Sequence, residues 1–232
     1  MTIKQASRSG NDSLLLDKNA FLSVLSAADQ QSRPLHPEER KEISPSACPK
    51  KATEFSLGRT AVHCALRDLG KGSFPVLRGG HGEPLWPEGF VGSITHCWPW
   101  AVALVIRSGK PLAIGIDLEN LEKVKTVDIS SVICTGRELD WVHSGFNFHE
   151  RLAMIFSAKE TVYKGFYRFC RRYIDFKEVE LSWLQEQQSF SVAIVGDTKD
   201  EFPLVNGCEV HCRRFNGFVF SCLVHEPAKL AA

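Results

Sequence analysis

Ile114-Gly115-Ile116-Asp117-Leu118-Glu119 is the stretch on which the reading of this chain turns. Upstream of it, apolar residues run from Ala101 to Ile106, pause at Ser108-Gly109-Lys110-Pro111 and resume at Leu112. That pattern predicts a buried strand, a turn and a returning strand. On the returning strand Asp117 and Glu119 stand two residues apart, so their side chains share a face. Two carboxylates on one face repel each other unless a cation sits between them, and an oxygen-only donor set favours a hard divalent ion. Taken alone, the hexapeptide is equally well read as an exposed strand end with two solvated acids.

Working outward, the 232 residues suffice for one large domain or two small ones with a real core. Hydrophobic residues make up 44% and charged residues 24%, an ordinary globular balance. A net charge of +1 gives no global field, which argues against nucleic acid and membrane as partners and makes any anion site local. No apolar run reaches the length of a membrane span, and the polar opening from Met1 to Asn11 is unlike a secretory signal. The cysteines Cys48, Cys64, Cys97, Cys134, Cys170, Cys208, Cys212 and Cys222 form no C-x-x-C pair. Their spacing predicts a reducing cytoplasm, with neither a disulfide framework nor a zinc site.

Along the chain, Met1 to Ser13 reads as a loose tail and Leu14 to Ala28 as a strand or short helix. Pro37 to Glu42 resembles the first turns of an exposed helix. Lys50 to Gly70 is a helix by the spacing of Phe55, Leu57, Ala61, Val62, Ala65, Leu66 and Leu69, with Gly70 as its stop. Arg59 and His63 lie one turn apart on it. In Arg78-Gly79-Gly80-His81-Gly82-Glu83-Pro84-Leu85-Trp86-Pro87 the glycines let backbone N–H groups approach a ligand, although a plain surface loop has the same composition. Glu122 to Thr126 begins a linker, and Thr135-Gly136-Arg137-Glu138 turns into a helix. Glu150 to Phe169 is the second long helix, burying Leu152, Ile155, Phe156, Val162 and Phe166. On its other side Glu160 and Lys164 share a face, which a surface ion pair would also explain. Strands follow over Glu178 to Leu184, Phe190 to Val195, Val210 to Phe215 and Phe218 to Val224, with Asn216-Gly217 as a hairpin turn and a frayed tail from Glu226. The order predicts an α+β protein of two similar halves, divided into residues 1–120 and 121–232.

Three motifs occur in order: Ser93-Ile94-Thr95-His96, then Gly115-Ile116-Asp117-Leu118-Glu119, then Phe156-Ser157-Ala158-Lys159-Glu160-Thr161-Val162-Tyr163-Lys164. Together they resemble the 4'-phosphopantetheinyl transferases of the surfactin and enterobactin-synthase type. Leu57-Gly58-Arg59-Thr60-Ala61, Gly82-Glu83-Pro84 and Trp86-Pro87 add to the likeness. The resemblance implies two α+β halves related by a pseudo-two-fold, with coenzyme A in the cleft between them. It implies transfer of the 4'-phosphopantetheine of coenzyme A to a serine of an apo acyl or peptidyl carrier protein, releasing adenosine 3',5'-bisphosphate.

The same resemblance implies that Asp117, Glu119 and Glu160 ligate Mg²⁺, with Mn²⁺ as the alternative, and that Lys164 and His96 contact the pyrophosphate. Glu160 would also take the serine proton, unless a water on the metal does. Arg40, Lys41, Arg59, Arg78, Gly79, Gly80, His81, Gly82, Glu83, Ser93, Ile94 and Thr95 stand where coenzyme A contacts are expected. Departures occur at Glu39 and Glu42, where relatives carry basic residues, at His81 in place of lysine and at Thr95 in place of serine. Arg168, Arg171, Arg172 and Tyr173 form either a carrier-docking patch or a solvated helix end. A chain holding both halves is expected to be a monomer. The competing readings are a Mg²⁺-dependent nucleotide pyrophosphate hydrolase and a non-catalytic coenzyme A-binding module.

Overall fold

The chain divides between Lys110 and Pro111 into two compact units. The computed structural model describes residues 4–8, 11–17, 19–28, 35–199 and 201–227.

The first unit runs through β1 (Lys4–Arg8), β2 (Asn11–Asp17), β3 (Ala20–Ser26), α1 (Pro37–Lys41), α2 (Pro49–Asp68), β4 (Phe90–Cys97) and β5 (Trp100–Arg107). Its strands form one antiparallel sheet in the order β1-β2-β3-β5-β4, and α2 packs on β3 and β5. Small and branched side chains make that contact: Leu57, Ala61, Ala65 and Leu66 of α2 cluster with Ala101, Ala103 and Val105 of β5. Pro49 starts the helix where its missing N–H costs nothing, and Gly70, at φ +78°, supplies the left-handed exit.

The second unit comprises β6 (Ala113–Asn120), α3 (Leu121–Val124), α4 (Ser130–Ile133), α5 (Gly136–His143), the long α6 (Phe148–Cys170), β7 (Val179–Leu184), β8 (Ser189–Ile194), β9 (Glu209–Phe215) and β10 (Phe218–His225). The sheet order is β6-β10-β9-β8-β7, antiparallel throughout, with α6 lying over β6 and β10. Leu152, Ile155, Val162 and Phe166 of α6 join Val210, Val219 and Leu223 in its core. Asn216 and Gly217, at φ 45° and 81°, make the two-residue turn between β9 and β10, whose twist demands positive φ at both positions.

Each unit executes the same move. A strand leads into a long helix, and the meander after the helix brings its last strand back beside the first: β5 beside β3, β10 beside β6. This is the two-half α+β architecture read from sequence, with four corrections. β5 and β6 are not a hairpin, because β5 pairs with β3 and β4 while β6 pairs with β10. The division consequently falls at Lys110/Pro111 and not at 120/121, since β6 is the opening strand of the second move. The expected loose tail, Met1 to Ser13, contains β1 and the start of β2, which runs on into the stretch from Leu14 expected as a strand or short helix. The expected linker at Glu122 is instead entered by α3. Of the expected frayed end, residues 228–232 lie outside the described ones. Among the described residues no helix is long and apolar enough to cross a membrane.

Candidate active site

In the second unit the site begins with a missing side chain. β6 pairs with β10 in a register that sets Gly115 opposite Leu223, Asp117 opposite Ser221 and Glu119 opposite Val219, so Gly115, Asp117 and Glu119 share one face of the sheet. α6 lies on that face. A Cβ added at Gly115 would be driven into the backbone carbonyl of Thr161, and one added at Gly165 would lie 3.3 Å from the Gly115 nitrogen. Two glycines thus let helix and strand backbones touch. Glu160 and Lys164, on either side of Thr161 along α6, are carried to the two strand acids.

The contact is direct for one pair: Lys164 Nζ donates to Asp117 Oδ1 at 2.6 Å and, at 3.4 Å, to the Ile116 carbonyl. Asp117 is only 3% exposed. Burial, and then the neighbouring Asp117 charge, push the Glu119 carboxyl up to about 7, against the opposing pull of Lys164 and Lys123. Glu160 is also raised, chiefly by burial, with Lys164 opposing and Asp117 adding. Three carboxylates therefore act within a single electrostatic field, with the Lys164 ammonium in contact with one of them and Lys123 pulling on another. Their donor chemistry, all oxygen, suits a hard divalent ion. Among the described residues no three such side chains are drawn close enough to cage an ion as they stand; the cation on Asp117 is Lys164.

The first unit gathers a second group. The guanidinium carbons of Arg59 and Arg78 lie 4.7 Å and 4.3 Å from the centre of the Phe55 ring. Arg59 is buried, its Nε makes no hydrogen bond among the described residues, and burial lowers its pKa while Glu39 and Glu42 pull the other way. The acids of α1 are structural. Glu39, fully buried, accepts from His63 Nε2 at 2.9 Å, from the Val76 N–H at 2.8 Å and from the His36 N–H at 3.3 Å. Glu42 accepts the Arg78 N–H at 2.8 Å. These two side chains tie the glycine loop to α1. Within the loop, the Glu83 carboxylate lies over Gly79, where a Cβ would collide with it, and accepts the His81 N–H at 3.0 Å. The loop's backbone donor thus already serves an anion.

Among the sequence-derived candidates, Asp117, Glu119, Glu160 and Lys164 come together, as do Arg59 and Arg78. Arg40 and Lys41 are exposed on α1. The Ser93-Ile94-Thr95-His96 segment is β4, and strand alternation separates its members. Ser93 and Thr95 are buried on one face. Ile94 and His96 are on the other, where Ile94 meets Gly58 of α2 and His96 Nδ1 lies 4.0 Å from Glu54 Oε2. Sequence reasoning missed Phe55 and Glu54; their one available signal was a position one turn from Arg59 and Gly58 on α2.

The acids beside Lys164 in the second unit and the two guanidiniums on Phe55 in the first are the chemically distinctive groups of the described residues. Comparison with known proteins assigns the chain to a family. The 4'-phosphopantetheinyl transferase N-terminal domain matches residues 38–106 and the 4'-phosphopantetheinyl transferase superfamily domain matches residues 113–206. The chain is 33% identical to the 4'-phosphopantetheinyl transferase Svp of Streptomyces mobaraensis over 83% of its own length and 75% of that protein. It is 30% identical to the 4'-phosphopantetheinyl transferase PptT of Mycobacterium tuberculosis, over 63% of this chain and 64% of that one. Enterobactin synthase component D of Salmonella typhi is 36% identical over 52% of this chain and 50% of that protein. The chain belongs to the 4'-phosphopantetheinyl transferase superfamily, enzymes that move phosphopantetheine from coenzyme A to carrier proteins.

Proposed function

We propose that this chain transfers the 4'-phosphopantetheine of coenzyme A to a serine of an apo acyl or peptidyl carrier protein in a Mg²⁺-dependent reaction. The observation that carries this reading is the convergence of Asp117 and Glu119 of β6 with Glu160 and Lys164 of α6. Phosphoryl transfer is catalysed mainly by positioning and by neutralising charge on phosphate oxygens. Asp117, Glu119 and Glu160 would hold the ion, which when bound neutralises pyrophosphate charge as a Lewis acid.

The chain's own groups do the rest. The serine oxygen bonds to the phosphorus that carries the pantetheine arm, and the bond from that phosphorus to the bridging oxygen breaks. Adenosine 3',5'-bisphosphate leaves with the bond's electron pair. Glu160 takes the serine proton. Lys164 exchanges its bond to Asp117 for one to a phosphate oxygen, and His96 donates to the pyrophosphate. Arg59 and Arg78 are assigned to the 3'-phosphate, because a buried guanidinium paired with a second one on a single aromatic ring is suited to a dianion. Arg40 and Lys41, exposed on α1, are left without a role.

The reaction belongs in a reducing cytoplasm, and one chain carries every assigned residue. Incubating the protein with coenzyme A, Mg²⁺ and an apo peptidyl carrier domain should add the phosphopantetheine mass to the carrier. Glu160→Gln should abolish the gain without unfolding the protein. No mass gain, beside a transferase that modifies the same carrier, would overturn the reading.

A further inference from the structure

The helix that bears Glu160 and Lys164 also carries a lysine pointing the other way. Lys159 is among the largest fully buried side chains of the protein, and its ammonium spends all three donors on three separate segments. It donates to the Ile133 carbonyl at the end of α4 at 2.7 Å, to Glu138 Oε2 on α5 at 2.7 Å and to the Phe176 carbonyl beyond α6 at 2.6 Å. Glu138, 1% exposed, is itself saturated: Oε2 accepts the Thr135 N–H at 2.6 Å and Oε1 the Leu181 N–H of β7 at 2.8 Å. No step of the proposed reaction uses either residue.

We propose that Lys159 and Glu138 are positioning residues, which lock the rotation of α6 about its own axis and so aim Glu160 and Lys164 at Asp117. This rests on the assignment of Glu160 and Lys164 to the reaction. The two glycines fix how closely α6 approaches β6, but a contact between smooth backbones does not fix rotation. A tetrahedral ammonium bonded to three acceptors does. Successive residues of an α-helix are set about 100° apart, so the side chain that anchors the helix and the one that reacts are rigidly related. A turn of about 10° would move a carboxylate at the helix rim by about 1 Å, and misplacement on that scale costs about a hundredfold in rate.

The test separates this role from bulk stability. Replacing both members with apolar residues of similar length, in Lys159→Met with Glu138→Leu, removes the buried charges together, which costs less than leaving either one unpaired. Its thermal midpoint should lie above that of Lys159→Met alone, though below that of the unaltered protein because the Thr135 and Leu181 N–H groups lose their acceptor. Its kcat for carrier modification should stay at least thirtyfold down, with the KM for coenzyme A moved less than threefold. Glu138→Asp keeps the charge pair but shortens the reach. It should fold and show the same split, whether or not the double variant folds. Recovery of kcat with the midpoint in the double variant, or unchanged kcat in a folded Glu138→Asp protein, would overturn the proposal. Glu160→Gln is measured alongside. Full turnover in that variant would strike the parent assignment, whereas lost turnover in Glu160→Gln beside full turnover in the folded Lys159 and Glu138 variants would overturn this proposal alone.

Discussion

Gly115 of β6 lies against the backbone carbonyl of Thr161 on α6, with no room between them for a methyl group. This contact decides whether the two acids of the strand and the acid and lysine of the helix belong to one site. Gly115→Ala must push α6 off the sheet, because the obstacle is backbone and cannot rotate away. Overpacking of a rigid site costs typically about 1–3 kcal/mol, and this position should fall at the upper end. Gly165→Ala is the informative contrast. Its Cβ would meet the flexible tip of Leu223 at 3.2 Å and the Gly115 nitrogen at 3.3 Å, far looser than the clash at Gly115, and the better helix propensity of alanine offsets about 1 kcal/mol. Urea denaturation should show a large loss for Gly115→Ala and a small one for Gly165→Ala, with turnover following the same order.

Glu119 gives the protein a stability profile that runs against the usual direction for an acid. Its ordinary value is 4.5, and in the folded chain burial and then Asp117 push it up to about 7. Between those pH values the folded state keeps a proton that the unfolded chain has released, so stability falls as pH rises through this window and levels off above it. The loss should be no more than about 3 kcal/mol. Glu39 is lowered and works in the opposite sense, but only below its ordinary value. Thermal melts from pH 4.5 to 8 should therefore slope downward for the unaltered protein and less steeply in Glu119→Gln, where the raised Glu160 still contributes in the same sense. An identical slope in both would refute the assignment.

What could be read from the chain beforehand follows from how local each feature is. Asp117 and Glu119 two apart on a strand, and Glu160 and Lys164 four apart on a helix, are relations that backbone periodicity alone enforces. The partner of β6 is not of that kind. An apolar run looks the same whether it turns back on β5 or pairs with β10 near the far end of the chain, so the hairpin reading and the division at 120/121 erred together. The Glu39–His63 and Glu138–Lys159 pairs were hidden for the same reason: each joins segments far apart in sequence. β1 and the polar start of β2 escaped notice because polar residues show no alternation, while the leucines that end β2 fall in the stretch already read as strand or short helix.

Lys164 stands on Asp117 as the cation of the site. Lys164→Met leaves a carboxylate that is 5% exposed in its side chain without its 2.6 Å partner, and should destabilise the protein by up to about 3 kcal/mol. If Asp117 is a metal ligand, a divalent ion restores what the lysine supplied. Millimolar Mg²⁺ should then raise the melting temperature of Lys164→Met more than that of the unaltered protein. Turnover should still be lost, because the ion does not replace the donor to the phosphate. Equal Mg²⁺ shifts in both proteins would argue against Asp117 as a ligand.

Arg59 offers the sharpest test of how coenzyme A is recognised, because the ligand can be altered as well as the protein. A charge-assisted hydrogen bond to a phosphate is worth about 1.5–3 kcal/mol, so Arg59→Leu should raise the KM for coenzyme A by about tenfold to a hundredfold. With 3'-dephospho-coenzyme A the unaltered protein should already pay most of that cost, and Arg59→Leu should add little. Such non-additivity is the mark of two groups in contact. Arg78→Leu should behave in the same way, since both guanidiniums rest on Phe55. A rise in KM of equal size with both ligands would instead mean that Arg59 supports the fold of α2 through Glu39 and Glu42, the two acids that hold it electrostatically.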